Sequence, residues 1–427
     1  MAHIPLVLAR LKREPLADLP IAKPLDQALH GLDHRWRDRV LTPLVTLRLM
    51  LIQILAGNCS IPALRQLSGI DFVPSSYCEA RGRLPLMVLQ WLLSWLHAQA
   101  EQSLGIVKKI GPRVLVVDGS SYSMPDTPQL RGHFGLPAGA APGVGYPSGK
   151  VMGLLDLATG MFLSLLDFGE LSRAALPLFT HDMRGVIGLH PMLRPGDILL
   201  GDRAFCSFCH LALLNARGVF ACVRLHQRRK DKPGVARWKR PAKPPAWMDI
   251  IQLALLPRFI AVRIVGYVIT RRGYRTRHVL IATTLDEANW PDDKIAELYS
   301  HRWQIETCFN HLKTTMKMNV LRCISVDGVK KELAVYLAAY NLVRLVMLKA
   351  AQEQRVSPDR ISFVDAQRWM LARMLGLSGV GRLIVNPDRR GRSQLRVIRR
   401  RLKKYILLTK PRSEAEAERD AKQGVND

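Results

Sequence analysis

Two short apolar runs, each closed by an aspartate, constrain the fold of this chain more than any other feature. GPRVLVVD (111–118) and GDILLGD (196–202) are continuous rather than alternating, as expected of strands buried on both faces. Between them VMGLLDLA (151–158) and MFLSLLDF (161–168), joined at Thr159-Gly160, read as a β-hairpin, and residues 172–187 as a helix. A short helix around Ser207–Ala216 and a strand, GVFACVRL (218–225), follow. The class read from this order is α/β.

The flanks have a different texture. Residues 1–105 read as helical. TPLVTLRLMLIQILAG (42–57) has apolar residues at helical spacing, with Thr42 and Pro43 suited to its start and Gly57 to its end. A second apolar helix covers 84–100, and SSYCEARGRLP (75–85) between them offers Arg81 and Arg83 to a phosphate backbone or serves as a plain helix–turn connection. HQRRKDKPGVARWKRPAKPPAWM (226–248) is a basic, Pro-rich break, either an ordered insert or equally a flexible loop ordered only by DNA. FIAVRIVGYVIT (259–270), RRG and YRTRHVLIATT (274–284) make a hairpin. A single helix is expected to start near Pro291, and further helices fill 330–385. Nine of sixteen residues between Arg389 and Lys404 are Lys or Arg, and the polar tail SEAEAERDAKQGVND is expected to be disordered.

The 427 residues carry 63 Lys and Arg against 35 Asp and Glu, a formal +28. That excess favours a polyanionic partner, nucleic acid before an anionic membrane surface. The first apolar run is too short for a signal peptide, and 84–96 is too short to span a bilayer. The longer stretch Leu333–Leu348 is interrupted by Asn341 and Arg344, so both are expected to be buried or amphipathic helices. Seven scattered cysteines read as reduced thiols in a cytosol.

Asp118 and Asp202 each close a buried strand; if those strands are neighbours, their C-terminal ends bring the carboxylates together. A lone strand-end Asp is more often a cap or turn residue. A third acid stands in YSHRWQIETCFNHLK (299–313). On a helix turning about 100° per residue, Tyr299, Arg302, Glu306 and Lys313 fall within a stripe roughly 60° wide. There a carboxylate can hold a divalent cation and two cationic side chains can hold phosphate oxygens. An ordinary ion pair of Glu306 with Arg302 on a solvated face accounts for the same spacing. Three acids together can hold two divalent ions about 4 Å apart for phosphodiester transfer, and Mg²⁺ suits ligands that are all hard oxygens.

DGSSYSMPDT (118–127), GDRAF (201–205) and the Tyr-x2-Arg-x3-Glu-x6-Lys signature (299–313) resemble the bacterial DDE transposases of the insertion-sequence group called IS-four. GNCSIPALRQL (57–67) and YCEARGRLP (77–85) extend the resemblance, which covers about 30–350. It implies a ribonuclease-H-like mixed-sheet core interrupted by a β-rich insertion and flanked by helical regions. The implied division is a helical DNA-binding domain at 1–105, a catalytic core at 106–225 and 286–325, and an insertion at 226–285. A helical basic region at 326–410 and a disordered tail at 411–427 complete it. Asp118, Asp202 and Glu306 would hold two Mg²⁺ ions, with Mn²⁺ able to substitute. Tyr299, Arg302 and Lys313 would contact DNA, and Trp247 and Trp290 are candidates to receive a flipped base. The implied function is cut-and-paste transposition: hydrolysis at element ends frees a 3′-hydroxyl, which attacks either across the element end as a hairpin or in target DNA, and strand transfer to target DNA completes the process. The partners are double-stranded DNA and a second copy in a homodimer, without a membrane, in a bacterial cytoplasm near the nucleoid. The alternative is a catalytically silent DNA-binding protein descended from a transposase.

CSFCH (206–210) matches the haem-attachment pattern, or with Cys222 and His226 a zinc site; buried thiols are the plainer expectation.

Overall fold

The structure is a computed structural model, and it describes residues 21–37, 39–103, 111–136, 145–167, 182–269, 277–377, 383 and 410–423. Helices α1 (Ala22–Gly31), α2 (Pro43–Leu55), α3 (Ile61–Ser68), α4 (Pro74–Arg83) and α5 (Leu86–Ser103) come first. Then follow β1 (Val114–Ser123), α6 (Pro128–Phe134), β2 (Ser148–Asp156), β3 (Met161–Asp167), α7 (Asp182–Leu189), β4 (Ile198–Gly201), α8 (Phe208–Ala216) and β5 (Phe220–Arg224). Next are β6 (Gly234–Lys239), α9 (Ile250–Leu255), β7 (Phe259–Ile269) and β8 (Arg277–Thr283). Last come α10 (Asp292–Ser300), α11 (Trp303–Asn310), a π-helical turn (His311–Thr315), α12 (Val326–Gln354), α13 (Phe363–Met374) and α14 (Arg412–Gln423).

One mixed sheet of eight strands organises the chain, in the order β3-β2-β1-β4-β5-β8-β7-β6. β1 runs parallel to β4, and β4 to β5; β1–β2, β2–β3, β5–β8, β8–β7 and β7–β6 are antiparallel. The continuous apolar runs are explained by what covers the sheet. Val116, Ile198 and Leu200 enter one core, while Leu115, Val117 and Leu199 enter the other. Strand alternation thus feeds two hydrophobic layers at once, which a single apolar face could not do. The first core holds α2, α5, α11 and α12; the second holds α7, α8 and much of the β6–β8 region.

The expected helix at 42–57 is α2, whose Thr42 side chain accepts from Val45 N at 3.3 Å. The hairpin expected around Thr159-Gly160 is β2–β3. Of the helix expected at 172–187, Asp182–Leu189 is helical and the remainder lies outside the described residues, as do the RRG turn and the Arg389–Lys404 cluster. The basic break at 226–248 is not a plain loop. It contains β6, whose Trp238 is buried under the Arg229 guanidinium, 3.4 Å from the ring centroid. Cation–π stacking and strand pairing with β7 hold a segment whose composition alone reads as irregular. The tail expected to be disordered carries α14, because its run of Ala, Glu, Arg and Lys has high helix propensity despite its polarity.

Helix α12 is long and apolar enough to cross a membrane, yet 78% of its most apolar window is buried inside the protein. Its polar residues, which break the apolar run in the sequence, are the anchors. Asn341 accepts from Phe162 N at 3.0 Å and donates to Phe162 O at 2.8 Å, pairing with an edge strand as a neighbouring strand would. Glu332 accepts from Asn58 Nδ2 at 2.8 Å and from the backbone of Arg322 and Cys323, linking the N-terminal helices to the segment after the π-helical turn. Arg344 donates to Thr159 O through Nε and Nη2 at 3.3 and 3.1 Å. Gly160 beside it has φ +65, and a Cβ there would lie 2.1 Å from Arg344 Nη2. Gly160→Ala is therefore expected to cost about 3 kcal/mol, from left-handed strain and the displaced guanidinium. A chemical denaturation midpoint equal to the parent's would refute this.

Candidate active site

The ladder between β1 and β4 ends at the pair Val116↔Leu200. Asp118 and Asp202 each stand two residues beyond that rung, so the parallel register points both to the same end of the sheet. Contrary to the sequence expectation, β1 does not end at Asp118 but continues to Ser123, held by its antiparallel pairing with β2. Its far end also takes a bridge from Val320, with Ser123 N donating to Asn319 O at 3.0 Å. That bridge ties the segment after the π-helical turn back to the strand bearing Asp118. Asp202 occupies the N-cap position of a short 3-10 turn, Arg203–Phe205, yet its side chain makes no cap hydrogen bond. The ordinary explanation of a strand-end Asp thus fails here.

The helix expected to run unbroken from Pro291 is interrupted twice. Tight bonds from His301 N to Leu298 O and from Arg302 N to Tyr299 O separate α10 from α11, and the π-helical turn widens the chain after Asn310. A stripe drawn for 3.6 residues per turn therefore does not persist to Lys313. Tyr299 lies in the last turn of α10, Arg302 stands at the break, Glu306 lies in the first turn of α11, and Lys313 sits on the π-helical turn. Arg263 of β7 holds the start of α10, donating to Trp290 O with its guanidinium 3.8 Å from Asp292.

Charge couples most of these side chains. Burial pushes the Asp118 carboxyl up to about 6, with Glu306 and Asp202 adding to the rise while Gly119 N and Arg302 oppose it. Arg302 is buried too, which works against its charge, but Tyr299, Glu306 and Asp202 more than compensate and its pKa is raised. Burial raises the Tyr299 phenol, with Arg302 opposing and Asp202 reinforcing the shift. Five of the six expected residues thus share one electrostatic environment. Lys313 lies further along, its ammonium held below the usual range by partial burial.

Glu306 pairs with Arg302, Nη2 to Oε1 at 3.1 Å, so the ion pair read from the spacing is present. It coexists with the acid cluster rather than replacing it. Asp118 Oδ1 accepts from Gly119 N at 2.8 Å. The Tyr299 hydroxyl and Arg302 Nε are buried without hydrogen-bond partners, an arrangement that favours a polar ligand beside them. Among the described residues, no three His, Cys, Asp or Glu side chains already stand close enough to hold a metal ion. Glu306 is paired with Arg302, and Asp118 and Asp202 are coupled to the same guanidinium electrostatically. The donor set nonetheless suits a hard divalent cation: all oxygen, with one buried carboxylate whose charge is disfavoured by burial and by two other acids, a situation that positive charge relieves.

One aromatic escaped sequence reasoning. Trp303 is 47% exposed and lies under the Arg302 guanidinium at 4.4 Å. Its place inside the signature, next to Arg302, was the signal available. Trp290 packs against the first core and Trp247 against the second. Arg81 is not free for phosphate, since it donates to Cys323 Sγ at 2.7 Å and lies over the Tyr77 ring; Arg83 remains exposed. Cys206, Cys209 and Cys222 are buried free thiols, and His210 Nδ1 bonds Phe205 O at 2.7 Å, so CSFCH serves the second core.

A family model described as Transposase DDE domain matches residues 109–342, a span that contains all six residues. Transposase InsG for insertion sequence element IS4 of Escherichia coli (strain K12) is 27% identical over 323 residues, 69% of this chain and 69% of that protein. A cryo-EM structure of the piggyBac transposase synaptic complex with hairpin DNA overlaps with a TM-score of 0.41 at 9% identity, covering 77% of this chain and 70% of that one.

Proposed function

This chain belongs to the transposase DDE domain family, and on that footing we propose that Asp118, Asp202 and Glu306 are the acids with which it cuts and joins DNA. It is a DNA transposase of the IS4 type, and its family works with divalent metal ions. The observation that carries the residue assignment is the parallel β1–β4 ladder, which points Asp118 and Asp202 to the same end of the sheet, where burial first and then Glu306 and Asp202 raise the Asp118 carboxyl. The strand order β3-β2-β1-β4-β5 supports reading the core as ribonuclease-H-like. The strands of the 226–285 insertion prolong the same sheet through the β5–β8 pairing.

Asp118, Asp202 and Glu306 would hold two Mg²⁺ ions, or Mn²⁺ in their place, which supply Lewis-acid stabilisation of phosphodiester oxygens. The chain's own residues do the rest. Arg302 releases Glu306 and turns to a phosphate, as its unpartnered Nε allows. The buried Tyr299 hydroxyl donates to the same strand end, and Lys313 adds a point charge further along. Trp303 offers a face on which an unstacked base can lie. A water adds to phosphorus as the bond to O3′ breaks, leaving a 3′-hydroxyl and a 5′-phosphate. The 3′-hydroxyl then attacks a second phosphodiester in target DNA: its O3′ bonds to phosphorus as the target's own bond from phosphorus to O3′ breaks, and the proton passes to that departing O3′ as a new 3′-hydroxyl. Joining two ends calls for two copies, so the assembly on double-stranded DNA is a homodimer, acting in a bacterial cytoplasm.

The test is incubation of the protein with duplex DNA spanning the genomic flanks of its coding region, with and without Mg²⁺. Mg²⁺-dependent nicks bearing 3′-hydroxyls are expected; binding without any cleavage would favour the silent DNA-binding reading. Arg302→Ala and Lys313→Ala are each expected to lower duplex affinity and to reduce the salt slope by about 1. An unchanged salt slope would remove that residue from the phosphate contacts.

A further inference from the structure

Glu306 rides on α11, so its distance from Asp118 depends on how closely that helix sits on the sheet. Asp118 is paired across the antiparallel ladder with Gly153 of β2. Directly opposed residues share a face, and strand alternation puts Asp118 on the same face as Val116 and Tyr122, which belong to the core that holds α11. Phe309, three residues after Glu306, enters that core. A Cβ built on Gly153 would lie 2.8 Å from Phe309 Cζ and 2.8 Å from Phe162 Cε1, closer than real Cβ atoms come. The two rings themselves meet with centroids 5.2 Å apart. Gly153 is not among the glycines with positive φ, so its backbone is one any residue could adopt. What requires glycine here is space rather than conformation. Glycine otherwise weakens a strand interior, and a close approach is the usual compensation.

We propose that Gly153 is a positioning residue for the transposition chemistry. Lacking a side chain, it lets Phe309 seat α11 against β1, and so it sets the Asp118–Glu306 spacing needed to share a cation. This rests on the reading of Asp118 and Glu306 as cation-holding acids. A methyl group at 153 moves the ring by a good fraction of an ångström. Misplacement of about 1 Å can cost 10²-fold in rate.

The test uses the full chain bound to duplex DNA from the flanks of its coding region, with three readouts. These are Mn²⁺ uptake, followed by the EPR signal of the free ion, single-turnover cleavage, and duplex affinity. Gly153→Ala is expected to raise the half-saturating Mn²⁺ concentration about tenfold and to slow cleavage by about 10²-fold, with duplex affinity within about twofold. Adding Phe309→Leu, which has no atom where the ring's far edge lay, is expected to recover most of both losses. Adding Phe162→Leu instead is not, because Phe162 belongs to β3 and does not carry Glu306. Parent-like Mn²⁺ uptake in Gly153→Ala overturns the proposal. So does recovery through Phe162→Leu but not Phe309→Leu, which would make the effect one of strand packing. If circular dichroism shows Gly153→Ala unfolded, Phe309→Trp crowds the same gap from the helix side with the glycine intact. It too is expected to weaken Mn²⁺ uptake, and an unchanged value overturns the inference. Glu306→Gln separates the two levels. If it takes up Mn²⁺ and cleaves like the parent, the reading of the acids fails. If it loses both while Gly153→Ala keeps both, the positioning role alone fails.

Discussion

Asp118→Asn is expected to abolish DNA cleavage while leaving the fold intact and, without divalent cation, more stable than the parent. The amide keeps the size of the side chain and removes the charge that would hold a cation. Single-turnover cleavage should fall by about 10²–10³-fold or more, the scale seen when one preorganised charge-stabilising group is removed. The stability change follows from the sign of the shift. The folded carboxyl titrates near 6, above its ordinary value, because burial, Glu306 and Asp202 disfavour the anion. Between those two values the folded state binds more protons than the unfolded one, so ionising Asp118 costs stability as pH rises through that window. At pH 8 the parent bears that cost and Asp118→Asn does not. A melting temperature that rises as activity vanishes is the signature of a group kept for chemistry rather than for folding. Cleavage at the parental rate would remove Asp118 from the site.

Acid should destabilise this protein well above the carboxylate range. His190 and His210 stack in the second core with ring centroids 5.3 Å apart, and the Nε2 atoms of both are buried without partners. Burial holds His190 at about 3, with His210 and Arg217 adding to the depression. Burial likewise lowers His210 to about 4, although its bond to Phe205 O opposes the shift. Both imidazoles are neutral in the folded state, whereas in an unfolded chain they take up protons near 6.5. Stability is therefore full above about 6.5 and is lost as pH falls from there towards the folded values. At pH 5 each imidazole accounts for a loss on the order of 2 kcal/mol relative to pH 7.5. Denaturation midpoints at the two pH values check this. His190→Phe should reduce the pH sensitivity by about half of the pair's effect, and an unchanged pH dependence would show that these rings are solvated.

Much of the fold was readable because it rests on local periodicity. The buried strands, the Thr159-Gly160 hairpin and the Thr42-capped helix each announce themselves within a dozen residues. The misreadings share a cause. The helix bearing Glu306 was drawn straight, but it breaks at 301–302 and 311–315 between residues that all enter the first core, a non-local arrangement that local spacing does not encode. The 226–248 stretch looked irregular because the stacking of Arg229 on Trp238 and the pairing of β6 with β7 are non-local. Trp303 was passed over because its exposure is a property of the assembled surface.

By itself the amino-acid sequence determined which acids, cations and aromatic residues this protein possesses and the order of the elements that carry them. Only the tertiary structure decided that Asp118 and Asp202 lie beyond the same end of a parallel ladder, that Arg302 is coupled electrostatically to all three acids, and that a bare Gly153 lets α11 approach. The division is physical. Element type follows from side-chain periodicity along a few turns or strand residues. Ångström-scale spacing between distant carboxylates is fixed by strand register and by how closely helices pack on the sheet.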